Sequence, residues 1–232
     1  MDLSDVPLLR DGVRVGTAHM QFDAQRAQAG RPLVRFFRWH PPAASLGWKQ
    51  AMPEWLDAAR VALARLDIVE RPTGGGLAWH GSDVSCAVIL PRGPSGRLHE
   101  LMQAICETAA QACRAFGIAA DVELEQQASG RVTVCLSEPS PYAVYAAGRK
   151  LAGFALRRYP QAWLIQGSLL VRPVAEELRA AMPPPVRAAW QARAISLCEA
   201  AGRPVEESEV IEAWAAHWGA RRAPLEHSLM TA

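Results

Sequence analysis

The stretch CLSEPSPYAVYAAGRK places a thiol, Cys135, and an amine, Lys150, at its two ends. A thiolate is a strong nucleophile, and a nearby cation favours it over the thiol. Together the two would give a reactive thiol with positive charge beside it. Each also has a plainer reading: a small buried hydrophobe for the cysteine, a solvated strand start for the lysine. Pattern separates Cys135 from the other four cysteines. In RVTVCLS, alternation puts Val132, Val134 and Leu136 on one face and Arg131, Thr133, Cys135 and Ser137 on the other, more polar one. Cys86 alternates with Val84 and Val88, Cys106 and Cys113 share an apolar helix face, and Cys198 has no distinguishing partner. Those four read as structural.

A second candidate region is RPTGGGLAWH, from Arg71 to His80. Its glycines let backbone approach a ligand closely. It is not a Walker loop, because no Gly-Lys-Ser/Thr follows. His80 closes the next strand, where a lone histidine is structural or catalytic. Trp39 and Trp48 read as core or pocket wall.

The elements that must position these residues follow from periodicity. GTAHMQFDAQRAQAG predicts a helix ending at Gly30, PLVRFFRWH a strand stopped by Pro41-Pro42, and ASLGWKQ a short extended piece. PEWLDAARVALARLD predicts a helix with Trp55, Leu56, Ala59, Leu63 and Leu66 on one face. IVERP reads as a strand and LAWHGSDVSCAVILP as one or two. A helix then buries Met102, Ile105, Cys106, Ala109, Ala112, Cys113 and Phe116, with Gly117 as its stop. RVTVCLS, YAVYA, RKLAGFALRR and AWLIQGSLLV read as consecutive strands of an antiparallel meander, with Gly148 at the turn between the second and third. From Val174 to about Trp218 the chain reads as helical, broken at Pro183-Pro184-Pro185, with a late strand near Ala223–Glu226. The order implies an α+β fold rather than a doubly wound sheet.

Composition bounds the rest. The chain has 232 residues, half of them apolar, and a net charge of +2, which fits one domain and makes no demand for nucleic acid. Five cysteines without paired spacing argue against a disulfide framework and a zinc site. MDLSDVPLLRDGV lacks a signal-peptide pattern, and no apolar run reaches the roughly 18 residues of a membrane span. The expectation is a reducing cytoplasm.

The order of four segments resembles the lipoate-protein ligase and octanoyltransferase family, related to the biotin-protein ligase catalytic domain. RFFRWHPPAASLGWKQ resembles the family's strand and Ser-x-Gly-x-x-Gln turn. RPTGGGLAWHGSDVSCAVILP resembles its Arg-x-x-Gly-Gly-Gly-x-x-x-His segment. GRKLAGFALRR resembles the strand carrying its key lysine, and LIQGSLLV the strand after it. The resemblance runs from about residue 17 to 173. It implies a mixed, mainly antiparallel sheet flanked by helices, one catalytic domain over 1–232 with a helical part from about 174 to 232, and a tunnel for a medium-length acyl chain. It carries site roles onto Arg71, Thr73, Gly74, Gly75, Gly76, His80, Gly148, Arg149, Gly153, Gln166 and Gly167 as substrate-binding residues, with the glycine loop Gly74-Gly75-Gly76 lining the tunnel and Lys150 pointing at the acyl carbonyl.

The family divides by chemistry. Its ligases activate lipoate with ATP and Mg. Its cysteine-dependent octanoyltransferases need no cofactor and take an octanoyl thioester from acyl carrier protein. That subgroup has Cys, then Pro-Ser-x-Tyr, then Gly-Arg-Lys, as Cys135, Pro139, Ser140, Tyr142, Gly148, Arg149 and Lys150 stand here. The resemblance therefore implies Cys135 as nucleophile and Lys150 as its partner. It implies a lipoyl domain as acceptor, of glycine cleavage H protein or a 2-oxoacid dehydrogenase acyltransferase subunit, and a monomer without nucleic acid or membrane. His80 is the candidate base for the acceptor amine. A lipoate ligase, a lipoyl-domain amidotransferase and an inactive acyl-binding homologue are the alternatives. Three positions depart from the family pattern. Phe154 stands where it has a small hydroxyl residue, Gln166 where it often has His, and Gly76 where cysteine-type transferases often carry Arg. The adenylation loop of biotin ligases has no counterpart.

Overall fold

The computed structural model describes residues 6–92, 98–125 and 133–218. A seven-stranded sheet runs in the order β1-β2-β6-β10-β9-β8-β7. Its strands are β1 (Leu8–Arg14), β2 (Leu33–Trp39), β6 (Asp83–Pro91), β7 (Ala120–Glu123), β8 (Ala143–Ala146), β9 (Arg149–Arg158) and β10 (Ala162–Leu170). Only β1 and β2 pair parallel; every other neighbour is antiparallel. A three-stranded sheet holds β3 (Ala43–Leu46) between β4 (Asp67–Glu70) and β5 (Ala78–His80). This is the α+β architecture expected, with β8, β9 and β10 as the meander.

Alternation along the strands buries both faces of the large sheet. On one face Phe36, Val84, Cys86 and Val88 pack with Met102, Ile105 and Cys113 of α3 (Leu98–Arg114) and with Trp214 of α7 (Glu207–Ala216). On the other, Leu33, Phe37, Ala87 and Ile89 meet Met20 and Ala27 of α1 (Gly16–Gln28). Arg35 shares this second face and is fully buried. It donates to Asp23 at 2.7 Å and to Asp11 at 2.8 Å, and contacts His19 Nδ1. Such a charge is tolerable inside only because carboxylates pair with it, and the pairing docks α1 onto the sheet.

A third core joins the small sheet to α2 (Ala58–Leu63), α4 (Glu176–Ala181) and α5 (Pro184–Arg193). Leu56, Leu66, Trp79 and Trp190 meet there. The C-terminal part continues through α6 (Leu197–Ala201), and the triple proline starts α5 with its characteristic first-turn placement.

Several expectations need correcting. The helix read from Pro53 to Asp67 contracts to α2. Asp57 caps it, and Leu63 faces solvent although Leu56 and Leu66 are buried. The flanking turns carry the apolar positions inward. RVTVCLS is not a strand in its described part. Val134 makes one isolated bridge to Leu77, and the chain turns at Cys135. Ser137 is buried rather than on the polar side; Arg131 and Val132 lie outside the described residues. Strands β1 and β7 were not anticipated, their alternation being interrupted by charge. The late strand near Ala223–Glu226 also falls outside the described residues. Among the described residues no helix is long and apolar enough to cross a membrane.

Candidate active site

Lys150 is the second residue of β9, just after a tight turn. Ala147 and Gly148 both have positive φ (49° and 70°), the two-residue turn that matches strand twist in a hairpin. Tyr145 pairs with Lys150 but Val144 pairs with Ala152, so Leu151 is an extra residue on β9. This bulge decides the geometry. Lys150 and Gly153 are an odd number apart, and plain alternation would put them on opposite faces. The extra residue returns them to the same one. A Cβ added at Gly153 would meet Lys150 Cε at 3.2 Å, Cys135 Sγ at 3.4 Å and Lys150 Nζ at 3.5 Å. Thiol and amine therefore converge over a glycine that leaves them room.

The cysteine turn is held from several directions. Cys135 N donates to Leu77 O at 2.8 Å, and Leu77 N to Thr133 O at 2.8 Å. Glu138 accepts from the backbone of Thr133 and Val134 at 3.0 Å. Lys150 Nζ donates to Cys135 O at 2.8 Å, Glu138 O at 3.2 Å and Ser140 Oγ at 2.6 Å. All three ammonium protons are thus directed at the turn that carries the thiol. Burial pushes the Lys150 ammonium below its ordinary pKa, with the charges of Cys135 and Glu138 pulling the other way. The ammonium thus places positive charge beside the thiol. Contact with an acyl oxygen would require it to exchange one of these bonds.

The other cysteines lack this setting. Burial pushes Cys106 and Cys113 up to about 12 and raises Cys86 as well, so all three stay neutral thiols. Cys198 is partly exposed, with its sulfur near Val205 O at 3.7 Å.

A cavity opens beside Cys135, Lys150's neighbour Gly153, and Gly167. Its apolar wall is Met20, Phe37, Trp39, Ala78 and Phe154; its polar wall includes Ser45, Arg71, His80 and Gln166. Arg71 is 7% exposed and donates to Ser45 O and to the carbonyls of Gly74 and Gly76. Burial works against its charge, and the thiolate form of Cys135 works for it. Gly74, Gly75 and Gly76 are not among the lining residues; Arg71, which bonds the Gly74 and Gly76 carbonyls, lines the cavity. Gly75 needs its positive φ of 93° beneath the Arg71 guanidinium.

The Ser-x-Gly-x-x-Gln turn anchors this loop. Gly47 N donates to Gln50 Oε1, Gln50 Nε2 to Thr133 O, and Trp48 N to Thr73 O. It therefore ties the glycine loop to the cysteine segment. A Cβ at Gly47 would lie 2.0 Å from Gly75 O, and a backbone carbonyl cannot rotate away. Gly47→Ala is expected to cost roughly 1–3 kcal/mol, read as a fall of several degrees in Tm with a parallel loss of activity. An unchanged Tm would contradict this packing.

Thr73 lies behind the cavity wall, where its hydroxyl donates to Gln166 Oε1 at 2.8 Å. Gln166 Nε2 donates to Asp23 Oδ2 at 2.8 Å, so its amide is committed to the protein on both sides. Gly148 and Arg149 sit outside the cavity. Gly148 makes the turn, and Arg149 reaches Ala194 O at 3.3 Å, so both position Lys150. Gly167 receives the Phe154 ring: a Cβ there would be 2.3 Å from it. Trp39 lines the cavity, whereas Trp48 is 44% exposed beneath the Arg157 guanidinium.

Sequence reasoning missed Asp83 and the side chain of Ser45. His80 Nδ1 lies 2.9 Å from Asp83 Oδ2, and its Nε2 lies 2.8 Å from Ser45 Oγ. An acid at the head of the otherwise apolar run VSCAVIL was the available signal.

A sequence model of the lipoyl protein ligase A/B catalytic domain matches residues 17–219. The chain belongs to this family. Its relatives include the octanoyltransferase LipM of Symbiobacterium thermophilum, 31% identical over 228 residues, covering 90% of this chain and 83% of that protein. The LipM of Kyrpidia tusciae is 31% identical over 200 residues, covering 79% and 73%. Among solved structures, a bi-partite lipoate protein ligase of Thermoplasma acidophilum superposes with a TM-score of 0.73 at 18% identity, over 95% of this chain and 86% of that one. A lipoate-protein ligase A bound with ATP gives 0.73 at 19% identity, over 94% and 87%. These two likenesses establish the lipoyl ligase fold. The family match extends past residue 173 into the C-terminal helices, which clip onto the site through Ile195 N to Lys150 O at 3.0 Å.

Proposed function

We propose that this chain transfers an octanoyl group from acyl carrier protein to the lysine of a lipoyl domain, through a thioacyl intermediate on Cys135. Acyl transfer as the class of activity rests on the octanoyltransferases at 31% identity. The single observation that supports the covalent route is the convergence of Cys135 Sγ and Lys150 Nζ over Gly153.

In the first half-reaction the Cys135 thiolate attacks the donor thioester carbonyl. The new C–S bond forms, the old one breaks, and the carrier's thiolate leaves and takes a proton. In the second, the acceptor amine attacks the thioacyl carbonyl, the amide forms, and the Cys135 sulfur departs. Lys150 and Arg71 offset the negative charge that appears on sulfur and oxygen. The apolar wall of the cavity receives the alkyl chain. ATP has no part in this route, because the donor arrives already activated as a thioester.

Purified protein, octanoyl-acyl carrier protein and a lipoyl domain without ATP are expected to give octanoylated domain over many turnovers. Product only with free lipoate and ATP would instead assign the ligase reading, and binding without turnover the inactive one. Lipoyl-domain-to-lipoyl-domain transfer as the only productive reaction would assign the amidotransferase.

Phe154 forms the wall against Gly167, and its ring meets Trp214 edge-on at 6.2 Å. In Phe154→Ala the acyl preference is expected to shift from octanoyl toward longer chains, at about 3–5 kcal/mol of stability. Competition among octanoyl, decanoyl and dodecanoyl carriers reads the shift; an unchanged profile in a folded variant would show that Phe154 does not set chain length.

A further inference from the structure

Arg71, Ser45, His80 and Asp83 form one hydrogen-bonded chain. A guanidinium only donates, so Ser45 Oγ accepts from Arg71 Nη1 at 3.2 Å. A carboxylate only accepts, so the ring proton of neutral His80 sits on Nδ1 and is donated to Asp83 Oδ2 at 2.9 Å. That tautomer leaves Nε2 to accept the Ser45 proton at 2.8 Å.

The acid is held as firmly as the ring. Asp83 Oδ2 also accepts from Ser85 Oγ at 2.8 Å and Ser168 Oγ at 2.7 Å, and Oδ1 from Gly81 N at 3.0 Å. Burial alone would raise the Asp83 pKa, but His80 and these hydrogen bonds outweigh it and hold it below its ordinary value. Trp39 stacks on His80 with centroids 3.9 Å apart and planes 11° apart, and its Nε1 donates to Ser85 Oγ at 2.9 Å. The basic nitrogen is therefore oriented by a carboxylate behind it and reached through a hydroxyl in front of it. Ser45 and His80 line the same cavity as Cys135.

The second half-reaction needs such a group. The acceptor lysine arrives as an ammonium and must lose a proton before it attacks. Resting on the thioacyl reading above, we infer that Ser45, His80 and Asp83 are the proton relay that makes the acceptor lysine nucleophilic. The ammonium proton passes to Ser45 Oγ as the Ser45 proton passes to His80 Nε2. The imidazolium formed faces the Asp83 carboxylate. The free amine attacks the thioacyl carbonyl, and the proton it sheds there goes to the departing Cys135 sulfur. His80 afterwards returns its proton to water through Ser45, which restores the chain. The first half-reaction makes no use of the relay, because the donor carries no amine. Asp83 is a positioning residue here.

The test separates the half-reactions in His80→Gln, which can accept from Ser45 and donate to Asp83 but takes no proton near neutral pH. Octanoyl-acyl carrier protein is mixed with the variant, and the Cys135 adduct is followed by intact mass. The acylated protein is then chased with a lipoyl domain or with hydroxylamine, which attacks without needing its proton removed first. Adduct formation and hydroxylamine release are expected to stay within about threefold of the unmodified protein. Transfer to the lipoyl-domain lysine should fall by about 100-fold or more, the usual contribution of general base catalysis. Transfer within threefold of normal, or equal loss in all three reactions, would overturn the inference. If His80→Gln does not fold, Ser45→Ala decides by the same criterion: selective loss of transfer to lysine supports the relay, and no split overturns it. Absence of any adduct on the unmodified protein would instead overturn the thioacyl reading on which the relay stands.

Discussion

Cys135→Ala is expected to lose octanoyl transfer by at least about 1,000-fold, since covalent catalysis is lost with its nucleophile. Environment sets Cys135 apart as much as identity does. Three of the other four cysteines are buried thiols held neutral by their surroundings. Cys135 sits at the cavity wall beside two buried cations, Lys150 and Arg71. Its removal takes away a small, partly exposed side chain, so Tm should change little. Steady-state transfer assays with the alanine variant check both halves of this expectation. Full activity would exclude a thioacyl route.

Lys150→Arg is expected to be nearly as damaging as Lys150→Met, each losing about 100-fold or more in adduct formation. Charge alone does not explain the position. The ammonium donates to three acceptors converging from one turn, Cys135 O, Glu138 O and Ser140 Oγ. A planar guanidinium offers its donors in a fixed fork and is larger. It cannot satisfy those three oxygens while fitting beside Gly153, where even a methyl group is tight. Methionine fills the space but leaves buried acceptors unpaired, at about 1–3 kcal/mol each. Both variants should therefore unlock the cysteine turn as well as remove or misplace charge. Single-turnover acylation rates and Tm measure the two effects, and a fully active arginine variant would show that charge suffices.

The strands and helices that carry the site were legible because their periods are strong. PLVRFFRWH and DVSCAVILP alternate between two buried faces, and α3 keeps its apolar residues on one stripe. The pairing of Cys135 with Lys150 was legible only through the family's motif order. RVTVCLS has the alternation of a strand, yet its described part, from Thr133 to Ser137, serves as a turn pinned by Glu138 and Lys150, and such long-range pinning leaves no local pattern. The β9 bulge is equally silent: nothing in RKLAG announces that Leu151 is the extra residue. Gln166 lines the cavity while its amide bonds Thr73 and Asp23, partners that no local pattern announces. The partners of His80 come from β3 and from the start of β6, and only the paired strands bring them together.

Intact mass reads the thioacyl-enzyme directly. Protein mixed with octanoyl-acyl carrier protein, without ATP, should gain the mass of one octanoyl group. Hydroxylamine should remove that mass, and Cys135→Ala should never acquire it. No mass gain on the unmodified protein, or a gain that persists in Cys135→Ala, would contradict the account.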